Sequence, residues 1–326
     1  MRWLLLCLMP VKSSATHFVE RSLSAGKGSG PFWGFVGIAA FSFTVPFTRV
    51  ADGDLAPLFI GSARAVVAAA LATSALAMRR SRRPYGREWL RLAFVAGGIV
   101  VGFPLLTSYA LTRVPASHGA VVIALLPAAT AVAVVVRTGE HPSSMFWLAA
   151  TVGAIAAVAF AIAQSGGPDG VQFDDVLLLG AVIAAAIGYA EGGLLSRELG
   201  AWQTISWALV VSAPLMAGLT VVSVVHQPPS ASLSHWAAFA YLGVVSMYLA
   251  YFAWYRGLAI GPMAQVSQVQ LTQPPLTILW SSVILGESVG WITITGGAVI
   301  VLCAGVAVRA RFTHRLSPRQ PPDQGV

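Results

Sequence analysis

Three ionisable side chains, Arg64, His118 and Glu191, lie inside long apolar runs of this chain. In hydrocarbon each is unfavourable by about 2.5–3.5 kcal/mol on membrane-insertion scales, so each asks for a reason. Glu191 sits in Gly188-Tyr189-Ala190-Glu191-Gly192, six residues before Arg197, about 9 Å inside that end of a helix rising 1.5 Å per residue. A carboxyl so enclosed suits a proton relay or contact with a cationic solute; the plainer reading is an acid snorkelling toward an interfacial arginine. Arg64, nine residues after Leu55, carries the planar fork that grips a carboxylate or phosphate with two hydrogen bonds. Its plainer reading is a structural ion pair or a carbonyl cap. His118 belongs to the one side-chain type that ordinarily changes charge between pH 5 and 8, yet a histidine at a helix end is often only an interfacial polar group.

The run 263–284 is the most polar of the apolar stretches, with Gln265, Ser267, Gln268, Gln270, Thr272 and Gln273 ahead of Pro274-Pro275. Gln265 and Gln268 are three apart, as are Gln270 and Gln273, so the amides occupy parts of two helix faces. Unpaired amides are disfavoured in lipid, so the cluster is expected to line a wet cavity, with glue between helices as the alternative. Pro274 removes a backbone donor and frees a carbonyl, whereas Pro127 lies in an apolar stretch and is expected only to kink it. Tyr109, Tyr251, Phe252, Trp254 and Tyr255 gather at helix ends and read mainly as an interfacial aromatic belt, with one or two, Tyr109 among them, available to stack on a solute. Glu140 and Glu287 close helices at opposite faces and read as capping or gate contacts. Gly98…Gly102 and Gly188…Gly192 have the Gly-xxx-Gly spacing that lets helices approach closely. Packing within the chain is the expectation, with a homodimer as the second reading.

Other chemistries find no residues. There is no nucleophile beside a base, no Cys/His metal spacing and no phosphate loop; Gly26-Lys27-Gly28-Ser29-Gly30 lacks the spacing of one. Cys7 and Cys303 suggest neither a disulfide framework nor a metal cluster. No enzyme activity, cofactor or metal is expected, and solute movement against a gradient must draw on an ion gradient or on exchange.

The elements that position these residues follow from composition. Of 326 residues, 56% are hydrophobic and only 10% charged, and mean hydropathy is +0.75. A water-facing surface needs about 25% charged residues, so the chain is an integral membrane protein. A bilayer core of about 30 Å takes about 20 apolar residues per helix. Ten such runs are readable, at 33–50, 55–78, 90–111, 117–136, 145–163, 176–195, 204–224, 236–255, 263–284 and 291–308. Lipid offers backbone groups no partners, so the runs are expected as helices.

Orientation follows from Lys and Arg. Seventeen of the twenty fall on one side: the tail before the first span, the loop from Arg79 to Arg91, Arg137, Arg197, Arg256 and the C-terminal tail. Arg49 and Arg113 fall on the other, and Arg64 within a span. Both termini are therefore expected in the cytoplasm, in a cell (inner) membrane. The net charge of +8 reads as topology with weak attraction to anionic lipid, and nucleic acid is not an expected partner. Residues 1–10 have too short an apolar stretch before Pro10 for a signal peptide, and read as part of a cytoplasmic tail.

An offset of 147 residues aligns Leu111 with Leu258, Pro115 with Pro262, Pro127 with Pro274, Gly139 with Gly286 and Glu140 with Glu287; it also sets His118 against Gln265. The chain thus reads as two copies of a five-helix unit. Five is odd, so the second copy crosses in the opposite sense, and two inverted repeats can exchange conformations around a central cavity. The expected division is 1–32 tail, 33–164 first repeat, 165–175 outer linker, 176–308 second repeat and 309–326 tail.

Motifs within the copies sharpen this. The first reads Ser108-Tyr109-Ala110-Leu111, Pro115-Ala116, Pro127 and Thr138-Gly139-Glu140. The second reads Tyr255-Arg256-Gly257-Leu258, Pro262, Pro274 and Leu285-Gly286-Glu287, and Gly61-Ser62-Ala63-Arg64 adds an Ala-Arg in the second helix. Over about 33–308 the chain resembles the duplicated EamA-type members of the drug/metabolite transporter superfamily. It departs from their pattern at Ser108, where the aromatic falls one residue late, at Gly257 in place of Ala, and at Thr138 in place of Leu. The resemblance implies a secondary transporter moving a small metabolite or drug-like solute by alternating access. Export coupled to protons at Glu191 is the leading expectation. A proton-independent facilitator or exchanger is the first rival, and a non-transporting membrane scaffold or lipid-handling subunit the second.

Overall fold

The computed structural model describes residues 29–138, 143–164, 173–261, 266 and 269–316. Gln265, Gln268 and Glu140 lie outside the described residues. Among those described, every regular element is helical. In chain order they are α1 Gly30–Ala51, α2 Pro57–Met78, α3 Arg87–Ala110 and α4 Ala116–Arg137; α5 Ser144–Gln164; α6 Phe173–Glu198, α7 Ala201–His226 and α8 Leu233–Ile260; α9 Gln273–Leu285 and α10 Trp291–Leu316. Seven of them, α1–α4 and α6–α8, are long and apolar enough to cross a membrane. Outward faces carrying Ile155, Ile183, Val225 and Leu302 remain exposed, as lipid-facing surfaces do.

Several helices are broken where the sequence removes or shifts a donor. Pro46 has no N–H to offer the Ser42 carbonyl, and α1 is interrupted at Phe43, between Ser42 and Thr44. Pro127 cannot donate to Ile123, and α4 breaks between Ile123 and Leu126. Its counterpart Pro274 cannot donate to Gln270, whose carbonyl instead closes a 3₁₀ turn with the Gln273 amide. α3 and α8 each contain a π-helical stretch, Ala96–Gly102 and Leu242–Leu249. The 147-residue offset carries 96–102 onto 243–249, and π segments favour functional sites.

Packing follows the same correspondence. α2 lies against α7, α5 against α10 and α4 against α9, each a helix and its counterpart under the offset. α1 packs on α8, and their counterparts α6 and α3 pack on each other. Glycine makes both of these contacts close. A methyl on Gly98 would run into the Ala184 carbonyl and stand 3.0 Å from Gly188 Cα, and one on Gly257 would stand 2.7 Å from the Gly34 amide nitrogen. The Gly98 and Gly188 spacings therefore serve contact inside the chain. α9 ends on Gly286 at φ 67°, the left-handed stop that glycine adopts freely.

Candidate functional site

Arg64 sits on α2 amid Ser62, Ala63 and Ala65, small residues that bring neighbouring helices close and bury the guanidinium to 1% exposure. Its Nε and Nη2 have no hydrogen-bond partner, and it makes no ion pair among the described residues. Tyr251 of α8 lies within electrostatic reach. Tyr251 packs on Phe41 at 4.6 Å between ring centroids, on Tyr189 at 5.9 Å and on Tyr255 at 6.0 Å, and Tyr189 meets Trp254 at 5.8 Å. Among the described residues, Trp254 Nε1, Gln270 Nε2 and Ser108 Oγ are further buried polar atoms without partners.

Reading these aromatics as an interfacial belt is corrected for Tyr251, Trp254 and Tyr255, which are buried to 4, 1 and 0% exposure. Their i, i+3, i+4 spacing puts them on one face of α8, and α1, α6 and α7 all pack on that helix. Tyr109 faces outward at 44% exposure and is not brought to this cluster.

Glu191 lies near one end of the bundle, buried on α6. Both oxygens are taken: Oε1 by Arg91 Nε of α3, and Oε2 by Arg137 Nε of α4 at 2.6 Å. Arg91 also reaches the exposed Glu198 at 2.7 Å. Arg197, the nearest arginine in sequence, instead donates to the Leu258 carbonyl at 3.3 Å. Tyr255, beside Glu191, donates to the Gly188 carbonyl at 3.2 Å. The three helices α3, α4 and α6 are thus clasped through one carboxylate.

The opposite end carries a second set. His118 Nε2 meets Asp175 Oδ1 at 2.7 Å, both buried, with the Phe160 ring 5.2 Å from the imidazole. Asp174 faces Arg113 at 3.9 Å. Glu287 accepts the Ala116 and Ser117 amides at 2.8 and 2.9 Å, holding the positive end of α4. Beside it opens a cavity of about 630 Å³ lined by Pro115, Ser117, Glu287, Ser288, Trp291 and Thr293. Arg49 ties the end of α1 to the Leu111 and Thr112 carbonyls at 2.8 and 3.1 Å and pairs with Asp52 at 3.2 Å. Burial raises the Asp52 carboxyl above its ordinary range, against the pull of Arg49.

Gln270 and Gln273 are both buried, and the Gln273 carbonyl accepts the Thr277 hydroxyl at 3.0 Å. No group of three His, Cys, Asp or Glu side chains suited to a metal occurs among the described residues. The sequence reading missed Asp175, placing the span start just after it, and took Arg91 and Arg137 only as topology signals. The available signal was position: Asp174-Asp175 falls in the first turn of a helix, where carboxylates are favoured, and Arg137 falls in a last turn.

Against known proteins, the sequence profile of the EamA-like transporter family matches twice, over residues 28–162 and 172–309. The "Uncharacterized transporter YdeK" of Bacillus subtilis (strain 168) is 41% identical over 276 residues, 85% of this chain and 96% of its own length. The "Probable terminal-alkyne amino-acid exporter" of Streptantibioticus cattleyicolor is 25% identical over 251 residues, 76% of this chain and 81% of its own. A solved crystal structure with 21% identity superposes at a TM-score of 0.61, covering 90% of this chain and all of its own; at that identity it shares the fold alone.

Proposed function

The chain belongs to the EamA-like transporter family, and from that premise we propose a ten-helix secondary transporter that exports a small metabolite across the cell membrane by alternating access. It is a multi-pass membrane transporter and not an enzyme. Residues 33–164 and 176–308 act as inverted repeats, joined by an outer linker at 165–175, with both termini in the cytoplasm. The matching π segments of α3 and α8, and the contacts α2–α7 and α5–α10 between counterparts, support the duplication.

The observation that carries the mechanism is the clasp at Glu191. It joins α3 and α4 of the first repeat to α6 of the second, at the arginine-rich end that the charge bias assigns to the cytoplasm. Closed, it shuts the inner end. One proton on Glu191 cancels the charge holding both guanidinium groups and releases the two repeats. Taken up from the outer side, the proton opens the inner end; released to the cytoplasm, it lets the clasp reclose behind a loaded solute, so one proton enters as the solute leaves, which is antiport. The relative named as an amino-acid exporter supports outward movement of a small metabolite.

The test is purified protein in liposomes with a trapped pH dye, given imposed gradients of a metabolite panel, wild type beside Glu191→Gln. Solute-dependent proton flux in wild type and its loss in the variant is the expected result. Solute flux without proton movement, equal in both, overturns the coupling and leaves a facilitator or exchanger.

A further inference from the structure

Arg64 is a buried cation with nothing in the described chain to answer it. The two nitrogens left without partners, Nε and Nη2, are the pair on one edge of the guanidinium. Their N–H bonds point the same way, at the spacing of two carboxylate oxygens. No carboxylate pairs with Arg64 among the described residues, and Glu191, the acid of the neighbouring clasp, has both oxygens occupied. On α8, which also carries Tyr251, Trp254 Nε1 is a buried donor without a partner among the described residues. A buried positive charge with two parallel donors left open is suited to an acceptor carrying negative charge.

We propose that Arg64 is the substrate-binding residue for the carboxylate of a monoanionic solute with an apolar, phenyl-sized body. This rests on the transporter reading above and names its substrate class. The single charge of Arg64 matches a carboxylate, whereas a phosphate dianion would ask for a second cation. The body is set by the wall beside the guanidinium: Tyr251, with Phe41 and Tyr189 against it and Trp254 beyond. In this conformation those rings close on one another and Arg64 is shut away from solvent, as an occluded site would be. The rings offer stacking and edge contact to an aromatic or planar apolar group.

The experiment uses purified wild-type protein and three probes of one shape: 3-phenylpropionate, 3-phenylpropanamide and 3-phenylpropylamine. Binding is read by tryptophan fluorescence and flux by counterflow into liposomes. Expected is saturable binding of the carboxylate, at least tenfold weaker binding of the amide and amine, and at least tenfold loss for the carboxylate in Arg64→Lys, which keeps the charge but not the fork. Equal binding of all three probes, or no binding of 3-phenylpropionate, overturns the proposal on wild-type protein alone, whether or not the Arg64 variant folds. Undiminished carboxylate binding in a folded Arg64→Lys also overturns it. Flux of the amine or amide without carboxylate binding sinks the Arg64 site and leaves the transporter. Carboxylate binding lost with Arg64→Lys but unaccompanied by flux keeps the site and sinks the transport reading.

Discussion

Replacing Glu191 by Gln separates a clasp from a passive buried pair. Each Glu191 oxygen accepts one charge-assisted hydrogen bond, and such bonds are worth about 1.5–3 kcal/mol. The side chains of Arg91 and Arg137 are 16% and 22% exposed, so solvent screening sets both toward the lower end of that range. Glutamine keeps one acceptor oxygen and turns an amide N–H toward the other guanidinium, donor against donor. The closed inner end should lose about 2–3 kcal/mol, which at about 1.4 kcal/mol per decade shifts the closed-to-open ratio roughly 30- to 140-fold. Ser196, 2% exposed on α6 beyond Glu191, is a suitable reporter. In a Ser196→Cys background with Cys7 and Cys303 replaced by serine, the rate of maleimide labelling from the inner side should rise by that factor. The partner change Glu198→Gln alters a carboxylate that is 54% exposed; exposed pairs contribute about 0.2–1 kcal/mol, so labelling should rise less than about fivefold. An unchanged rate in Glu191→Gln, with the protein eluting as wild type does, refutes the clasp.

Four further outcomes follow from the same geometry. His118→Ala removes one buried hydrogen-bond partner of the Asp175 carboxylate, which should lower stability by about 1–3 kcal/mol; thermal unfolding in detergent should show a larger loss than for Arg113→Ala, whose side chain is 69% exposed. Gly188→Ala drives a methyl onto Ile99, with its amide nitrogen 3.1 Å away, and this overpacking should lower stability by about 1–3 kcal/mol in the same assay. Glu287→Ala removes the cap from two α4 amides and should remove about 1–2 kcal/mol. Because burial raises the Asp52 carboxyl, the folded protein binds that proton more tightly than the unfolded chain does. Its contribution therefore strengthens as pH falls through the raised value and is complete below the ordinary one; Asp52→Asn should flatten the melting profile in that window and leave stability at neutral pH equal or higher.

Much of this was legible in the sequence because hydropathy and proline are strong local signals. The apolar runs recur as helices, and Pro127 and Pro274 stand at breaks because a missing N–H acts locally. The π segments were invisible: nothing in Ala96–Gly102 or Leu242–Leu249 departs from an apolar helix, and only their shared offset marks them. Partners were harder still. Arg91, Arg137 and Asp175 meet their counterparts 100, 54 and 57 residues away, and no periodicity encodes such distances. Tyr251, Trp254 and Tyr255 were misplaced because an aromatic near a helix end looks alike whether that end meets headgroups or three neighbouring helices.

Alternating access requires two ends that open in turn. Spin-label distances across each end measure this directly, with an inner pair at Arg87 and Ile260 and an outer pair at Arg113 and Ser288. Glu191→Gln should lengthen the inner distance and shorten the outer one in the same sample. Distances that stay fixed at both ends, or that change in the same sense, would contradict it.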